Sequence, residues 1–233
     1  MKFYTLELKR QELWKDILLN LVTNVVLCKN VYFVVYNLLT KKLYKRICNI
    51  QDKIERLQNI MPEDLGVSKI LAMDLRLRKE TIPKPRPKIC KPFVPFQNTI
   101  NNLFKLRNTE SLILKLEFMF RLFTGMLTNE LHQFWDKYIS YDKMFVDADS
   151  LKALMIYIIV KAKSAKLLVD VIFIEEFTPE SVKYTNRSYY MTVFHSAFEY
   201  LEDITDKRFT DLLDTINSRV SSEKDIEYSE DEM

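Results

Sequence analysis

Apolar residues recur along most of this chain at intervals of three and four, the spacing that lines one face of an α-helix. Residues 5–26 and 31–47 read as long helices with apolar faces. Ile54, Leu57 and Ile60 continue the pattern at i, i+3 and i+6 up to a stop at Met61-Pro62. Helices follow at 98–107 and 109–128. The second carries Leu112, Ile113, Leu116, Met119, Phe120, Leu122, Phe123 and Leu127; it is apolar nearly all round, which predicts a central position. Residues 150–162 are also apolar on almost every side. Periodicity alone allows a buried strand there, whereas the length and the preceding Asp-Ala-Asp-Ser favour a helix. Further helices are expected at 165–176, 187–204 and 206–219.

Two segments break the pattern. From Arg76 to Pro95 the chain interleaves Arg76, Arg78, Lys79, Lys84, Arg86, Lys88 and Lys91 with Pro83, Pro85, Pro87, Pro92 and Pro95. Prolines at alternating positions oppose a helix and favour an extended linker, a spacer first and an SH3-type docking segment second. The last thirteen residues, Ser221 to Met233, hold six acids against Lys224 and too little apolar surface for a core, so a disordered tail is expected. Ser222 and Ser229 within it suit an acid-directed kinase. No internal repeat is visible.

Composition narrows the chemistry. The chain has 233 residues and only two glycines, Gly66 and Gly125, far apart. A phosphate-cradling loop, a dinucleotide fingerprint or a nucleophile elbow needs clustered glycines, so these sites are excluded. Its two histidines, His132 and His195, stand in no metal-ligand spacing. No metal and no cofactor are expected. So few glycines, with seven prolines, also disfavour an all-β fold. Cys28, Cys48 and Cys90 form no Cys-x-x-Cys pair, which points to free thiols in a reducing compartment.

The N-terminus carries Lys2, Glu7, Lys9, Arg10, Glu12, Lys15 and Asp16, and does not read as a cleavable signal. Ile17 to Leu39 is long and largely apolar. Lys29, Asn20, Asn24, Asn30 and Asn37 within it would be expensive in hydrocarbon, so a buried helix or helix pair is expected, and a cytosolic protein. The net charge is +3; without its −5 tail the folded part carries +8. A basic surface of that size could meet RNA, an anionic membrane or an acidic protein. The charges are dispersed, however, and no exposed aromatics interleave with Arg as a stacking platform, so solvated helix faces are the expectation and nucleic-acid binding is not.

One region carries a more specific pattern. It begins Asp147-Ala148-Asp149-Ser150-Leu151-Lys152-Ala153-Leu154, passes Leu-Leu-Val-Asp-Val-Ile-Phe-Ile-Glu-Glu-Phe, and closes with Tyr189-Tyr190-Met191-Thr192 leading to Ala197-Phe198-Glu199-Tyr200-Leu201-Glu202. It resembles the VPS-nine (vacuolar protein sorting nine) domain, the exchange-factor module acting on early-endosomal Rab GTPases. That family reads Ala-Asp-Asp-aromatic-Leu-Pro-x-Leu-x-Tyr-x-x-x-Lys-Ala and later Tyr-Tyr-x-Thr. Upstream, Asp52 to Gln58 with Pro62 to Gly66, and Thr109-Glu110-Ser111 before Lys115-Leu116, are similar to earlier family segments in the same order. The resemblance spans about 30–205 and is specific across 147–204.

The resemblance implies an all-α fold: a multi-helix layered bundle of the VPS-nine type, with an N-terminal helical bundle packed on it and a disordered acidic tail. The expected divisions are 1–108, including a linker at about 76–97, then a core at 109–220, then the tail at 221–233. It implies that Asp149, at the first family acid, enters the nucleotide pocket of the GTPase and that Tyr189 hydrogen-bonds a switch region. Thr192, Ala153, Ser150 and Asn186 fall on the same GTPase-binding surface. From the residues alone, Asp149 reads first as a helix N-cap and Tyr189 as a half-buried aromatic at a helix start; the resemblance reverses the reading of Asp149 and leaves Asp147 available as the cap. Tyr157, Phe173, Phe177, Tyr190 and Phe198 read as core or groove wall.

The departures are Ser150 for the second acid, Ala153 for the proline, Lys163-Ser164-Ala165 for an Asn-Pro-Pro turn, and Thr185-Asn186-Arg187-Ser188 for a Gly-Glu turn. The function implied is guanine nucleotide exchange on an endosomal Rab, without covalent chemistry, by a monomer recruited from the cytoplasm to the endosomal membrane. The alternatives are an inactive GTPase-binding scaffold and a basic RNA- or membrane-surface binder.

Overall fold

The computed structural model describes residues 29–82, 93–178 and 186–231, and all regular structure among them is helical. The helix expected at 5–26 and residues 83–92 of the proline-rich stretch lie outside the described residues.

The N-terminal helix expected at 31–47 is two helices, α1 (Lys29–Lys42) and α2 (Tyr44–Arg56), which meet at Leu43. Leu43 departs from helical geometry at φ −93° and ψ 3°, yet its N–H still reaches Leu39 O and its carbonyl still accepts from Ile47 N, both at 2.9 Å. The chain therefore bends without forfeiting those bonds. Ile54, Leu57 and Ile60 are all fully buried, as their spacing predicts. After Arg56 the winding tightens, with Ile60 N donating to Leu57 O at 2.9 Å. A short 3-10 turn, Pro62–Leu65, follows; Asp64 accepts from the N–H of Met61 at 2.8 Å, and Gly66 closes the turn at φ 81°. That is a left-handed position which glycine occupies without strain.

Helix α3 (Leu75–Thr81) corrects the reading of Arg76 onward as extended linker. Asp74 caps it by accepting from Arg76 N at 2.6 Å and Leu77 N at 3.2 Å. The prolines act only from Pro83, ahead of which Ile82 turns to extended geometry. Charge alternation had masked a capped turn.

Helix α4 (Gln97–Arg107) starts without a side-chain cap of its own. The Glu130 carboxylate supplies one from another helix, accepting from Asn98 N (3.0 Å), Thr99 N (2.6 Å) and Thr99 Oγ1 (2.5 Å). Next come α5 (Leu112–Arg121), a π-helical segment (Leu122–Leu127) and α6 (Thr128–Trp135), so the helical path read as ending at 128 runs on through a wide turn. After two 3-10 turns, the second being Tyr141–Met144, α7 (Ala148–Lys161) enters the centre. Every residue from Ala153 to Val160 is buried, which is why its hydrophobic pattern has no face. Helix α8 (Leu167–Phe177) is nearly as deeply buried. Helix α9 (Asn186–Asp203) packs along α7 and also touches α8, α2 and α5.

Helix α10 (Asp206–Asp231) runs on into the acidic segment expected to be disordered from 221. Extending an existing helix adds one backbone hydrogen bond per residue, and no new nucleus must form. Arg219 ties α10 to the first 3-10 turn through Asn59 O (2.5 Å) and Asp64 Oδ2 (3.1 Å).

Two predictions arise from this packing. Lys163, in the turn between α7 and α8, adopts φ 51°, where a side chain is strained. Lys163→Gly is expected to stabilise by about 1 kcal/mol, raising Tm by about 2–4 °C in calorimetry. Lys161, whose ammonium donates to Gln58 O at 2.7 Å, has its pKa brought down to about 8 by burial and by the nearby Arg219 charge. The unfolded chain keeps that proton to about pH 10, so between pH 8 and 10 it binds more protons than the folded one and stability rises. Burial pushes the hydroxyl pKa of Tyr32, Tyr36 and Tyr157 upward. These tyrosines stay protonated when folded, so their contribution is lost above pH 10. A Tm that climbs from pH 8 to 9.5 and then falls is expected; Lys161→Met should weaken the climb, leaving the part due to buried Lys115.

Candidate functional site: the starts of helices α7 and α9

The sequence offers two aspartates to cap α7, and only one does so. Asp147, in extended geometry at φ −73° and ψ 173°, accepts from the N–H of Ser150 at 2.7 Å. Hydrogen bonds from the Ser150 amide and hydroxyl hold the Asp147 carboxyl below its ordinary pKa. Asp149 lies one residue inside the helix and is exposed. Its carboxylate makes no hydrogen bond or ion pair with any described residue. The cap role that competed for Asp149 is thus filled by its neighbour. A carboxylate in the first turn is also favoured by the helix dipole, so this charge costs the fold little.

Tyr189 stands in the first turn of α9 and is 45% exposed. Its ring meets Tyr190 edge-on at 5.3 Å. Tyr190 in turn stacks on Phe123 at 4.8 Å and touches the edge of Phe120 at 5.7 Å, while Phe123 meets Phe194 at 5.2 Å. The π-helical segment carries Phe123, so its wide turn belongs to this support. Tyr190 is the anchor and Tyr189 the presented ring.

The other expected positions are more varied. Thr192 is exposed, and its hydroxyl donates to Ser188 O at 3.0 Å within the helix, leaving the oxygen as an acceptor. Ser150 is half-buried and engaged with Asp147. Ala153 is buried beneath the surface of α7. Asn186 opens α9, and its side chain lies outside the described residues. Tyr157, Phe173 and Phe198 are in the core, with Phe177 and Tyr190 packed against it.

Other features were absent from the sequence reading. His195 lies between Glu175 (Nδ1 to Oε2, 3.0 Å) and Glu199 (Nε2 to Oε1, 3.3 Å), joining α8 to α9. The i, i+4 spacing of His195 and Glu199 was visible in the sequence; the tie to Glu175 was not. Among the described residues no group of His, Cys, Asp and Glu is arranged to hold a metal. A cleft of about 580 Å³ lined by Thr40, Tyr44, Ile47 and Lys166, among others, includes neither Asp149 nor Tyr189. Among the described residues, the start of α7 thus presents an acid without a partner and the start of α9 an exposed aromatic.

Residues 96–206 match the family model of the Vacuolar sorting protein 9 (VPS9) domain. This segment belongs to the VPS9 family. The match covers α4 to α9 and with them Asp149 and Tyr189. VPS9 domains are exchange modules of Rab GTPases, so a VPS9 segment indicates Rab exchange activity and a Rab GTPase as partner. No curated protein matches the chain. Helices α1 to α3 lie ahead of the matched VPS9 segment yet share its core: Tyr32 meets Phe173 edge-on at 5.2 Å, and Arg46 grips both carboxylate oxygens of Glu202 at 2.6 Å.

Proposed function

We propose that this chain is a guanine nucleotide exchange factor for a Rab GTPase of the early endosome, with Asp149 as its acidic finger. The observation that carries the reading is the exposed, unpaired carboxylate of Asp149 beside a cap that Asp147 already fills. Such a group can enter the phosphate cavity of a GTPase and pair with the lysine that otherwise holds the nucleotide. It repels the β-phosphate and competes for magnesium, so GDP loses its best partners. No bond is made or broken. The factor stabilises the nucleotide-free state more than the GDP-bound one, and that difference accelerates release. Tyr189 and the Thr192 oxygen hold a switch region, with Ser150 and Asn186 on the same contact surface and Ala153 buried behind it. The chain acts as a monomer, needs no cofactor, and moves from cytoplasm to the endosomal membrane by a recruiting partner.

Fluorescent-GDP release from a panel of Rab GTPases tests this directly. Acceleration by the wild-type chain supports the reading; no acceleration with any early-endosomal Rab rejects it. A second reading, an inactive scaffold that binds a GTPase, is favoured by Ser150 and Ala153 standing where the family has an acid and a proline. It predicts binding to nucleotide-free GTPase without release of GDP.

A further inference from the structure

Among the described residues of the matched segment, the large apolar side chains left exposed are Phe104, Leu114, Tyr141, Phe145 and Tyr189. Single exposed apolar residues are ordinary on a protein surface, but here two aromatics fall in the eight residues before Asp149 and a third at the partner helix start. Phe145 is 73% exposed, more than any aromatic in the chain's described residues except Tyr141 at 74%. Its presentation is built. Met144 before it is buried and Val146 after it packs against the core, so an extended backbone at φ −65° and ψ 127° turns Phe145 outward between two anchors. The Tyr141 ring, on the same short 3-10 turn, rests edge-on against His132 at 4.7 Å.

We propose that Phe145 is a specificity-determining docking residue, which seats on an apolar patch of the GTPase next to its phosphate cavity; this rests on Asp149 being the acidic finger. Phe145 lies four positions before Asp149, so their Cα atoms are at most about 14 Å apart. A standard protein interface covers about 800 Å² per partner, a disc of about 16 Å radius. Energetically dominant groups cluster near its centre. An interface of that radius centred on Asp149 reaches as far as Phe145. An exposed aromatic gives large contact area at low entropic cost, whereas a fixed carboxylate entering the phosphate cavity distinguishes poorly among GTPases that all share that cavity. Asp149 drives release; Phe145 selects the GTPase on which it acts.

The test is the rate of GDP release as a function of GTPase concentration, for the full chain carrying Phe145→Ala, Phe145→Leu or Asp149→Ala. Phe145→Ala should lower kcat/KM about tenfold through KM with the maximal rate kept, and Phe145→Leu should restore most of it. Asp149→Ala should instead lose the maximal rate. Phe33→Ala, an aromatic on α1 with 46% exposure, controls for removing any exposed ring and should leave both constants unchanged. Wild-type kcat/KM in Phe145→Ala, or an equal fall in Phe33→Ala, overturns the inference while leaving the exchange reading intact. A wild-type chain that neither binds nor accelerates any GTPase overturns both.

Discussion

Asp149→Ala is expected to abolish acceleration of GDP release while the chain stays folded. Truncating one member of a charge pair buried at an interface costs about 2–5 kcal/mol. With 1.4 kcal/mol per tenfold, that is a loss of about 30- to 3,000-fold in exchange rate. The fold pays little, because the side chain is exposed and has no partner among the described residues. Only its first-turn dipole interaction is lost, about 0.3–1 kcal/mol. Asp147→Ala should behave in the opposite way. It removes the cap on Ser150 N, costing about 1 kcal/mol of stability, and leaves the finger in place. Parallel melting curves and fluorescent-GDP release on the two variants separate the roles of the two aspartates. A fast Asp149→Ala variant beside a slow Asp147→Ala one would reverse the assignment.

Lys115→Met carries the largest expected loss of stability. The Lys115 ammonium and the Asp170 carboxylate meet at 2.6 Å with both side chains wholly removed from solvent. Lys115 Nζ also donates to Leu106 O at 2.8 Å, and Tyr36 donates its hydroxyl to Asp170 Oδ2 at 3.3 Å. The rings of Tyr32 and Tyr36 lie 5.7 and 5.8 Å from the ammonium. Helices α1, α4, α5 and α8 thus converge on one buried charge pair. Burial pushes the carboxyl of Asp170 up and the ammonium of Lys115 down, each opposed by the charge of the other.

Removing the lysine leaves a buried carboxylate without its cation, at a cost of about 3–5 kcal/mol, or roughly 6–20 °C in Tm. The variant also acquires a pH dependence. With its folded pKa above the unfolded value, Asp170 holds its proton longer when folded, so Lys115→Met is most stable in acid and weakens as pH rises. Denaturant midpoints at pH 5 and pH 8 should show this fall. The double variant Lys115→Met with Asp170→Leu, which removes both charges, should recover most of the loss. Equal stability of Lys115→Met and wild type at pH 8 would refute this account.

The fold class was legible because helical periodicity is local: Ile54, Leu57 and Ile60 announce a buried face by spacing alone, whatever they pack against. The start of α7 was legible for the same reason, since the donor and acceptor of a cap lie three residues apart. Helix α3 was hidden because charge and proline content describe a window, whereas Asp74 capping two amides is a matter of individual atoms. The wide turn at Leu122–Leu127 was equally unreadable, because a π segment has no spacing signature of its own in so apolar a stretch.

Which residues meet across the fold was settled elsewhere. Nothing in sequence order joins Glu130 to the start of α4 at 2.6 Å, or Lys115 to Asp170 across fifty-five positions. These partners meet because burying the apolar faces leaves only a few arrangements in which each charge also finds a counter-charge. The division of labour between two neighbouring aspartates is of the same kind. Sequence by itself determined that the chain is helical, that an acid stands at the start of α7 and that an aromatic pair stands at the start of α9. Tertiary structure decided which acid is spent on the backbone, which ring is anchored on Phe123, and which groups remain free to face a partner. The physical reason is that a hydrogen bond or a stacked ring is a relation between places, and places exist only once the chain has packed.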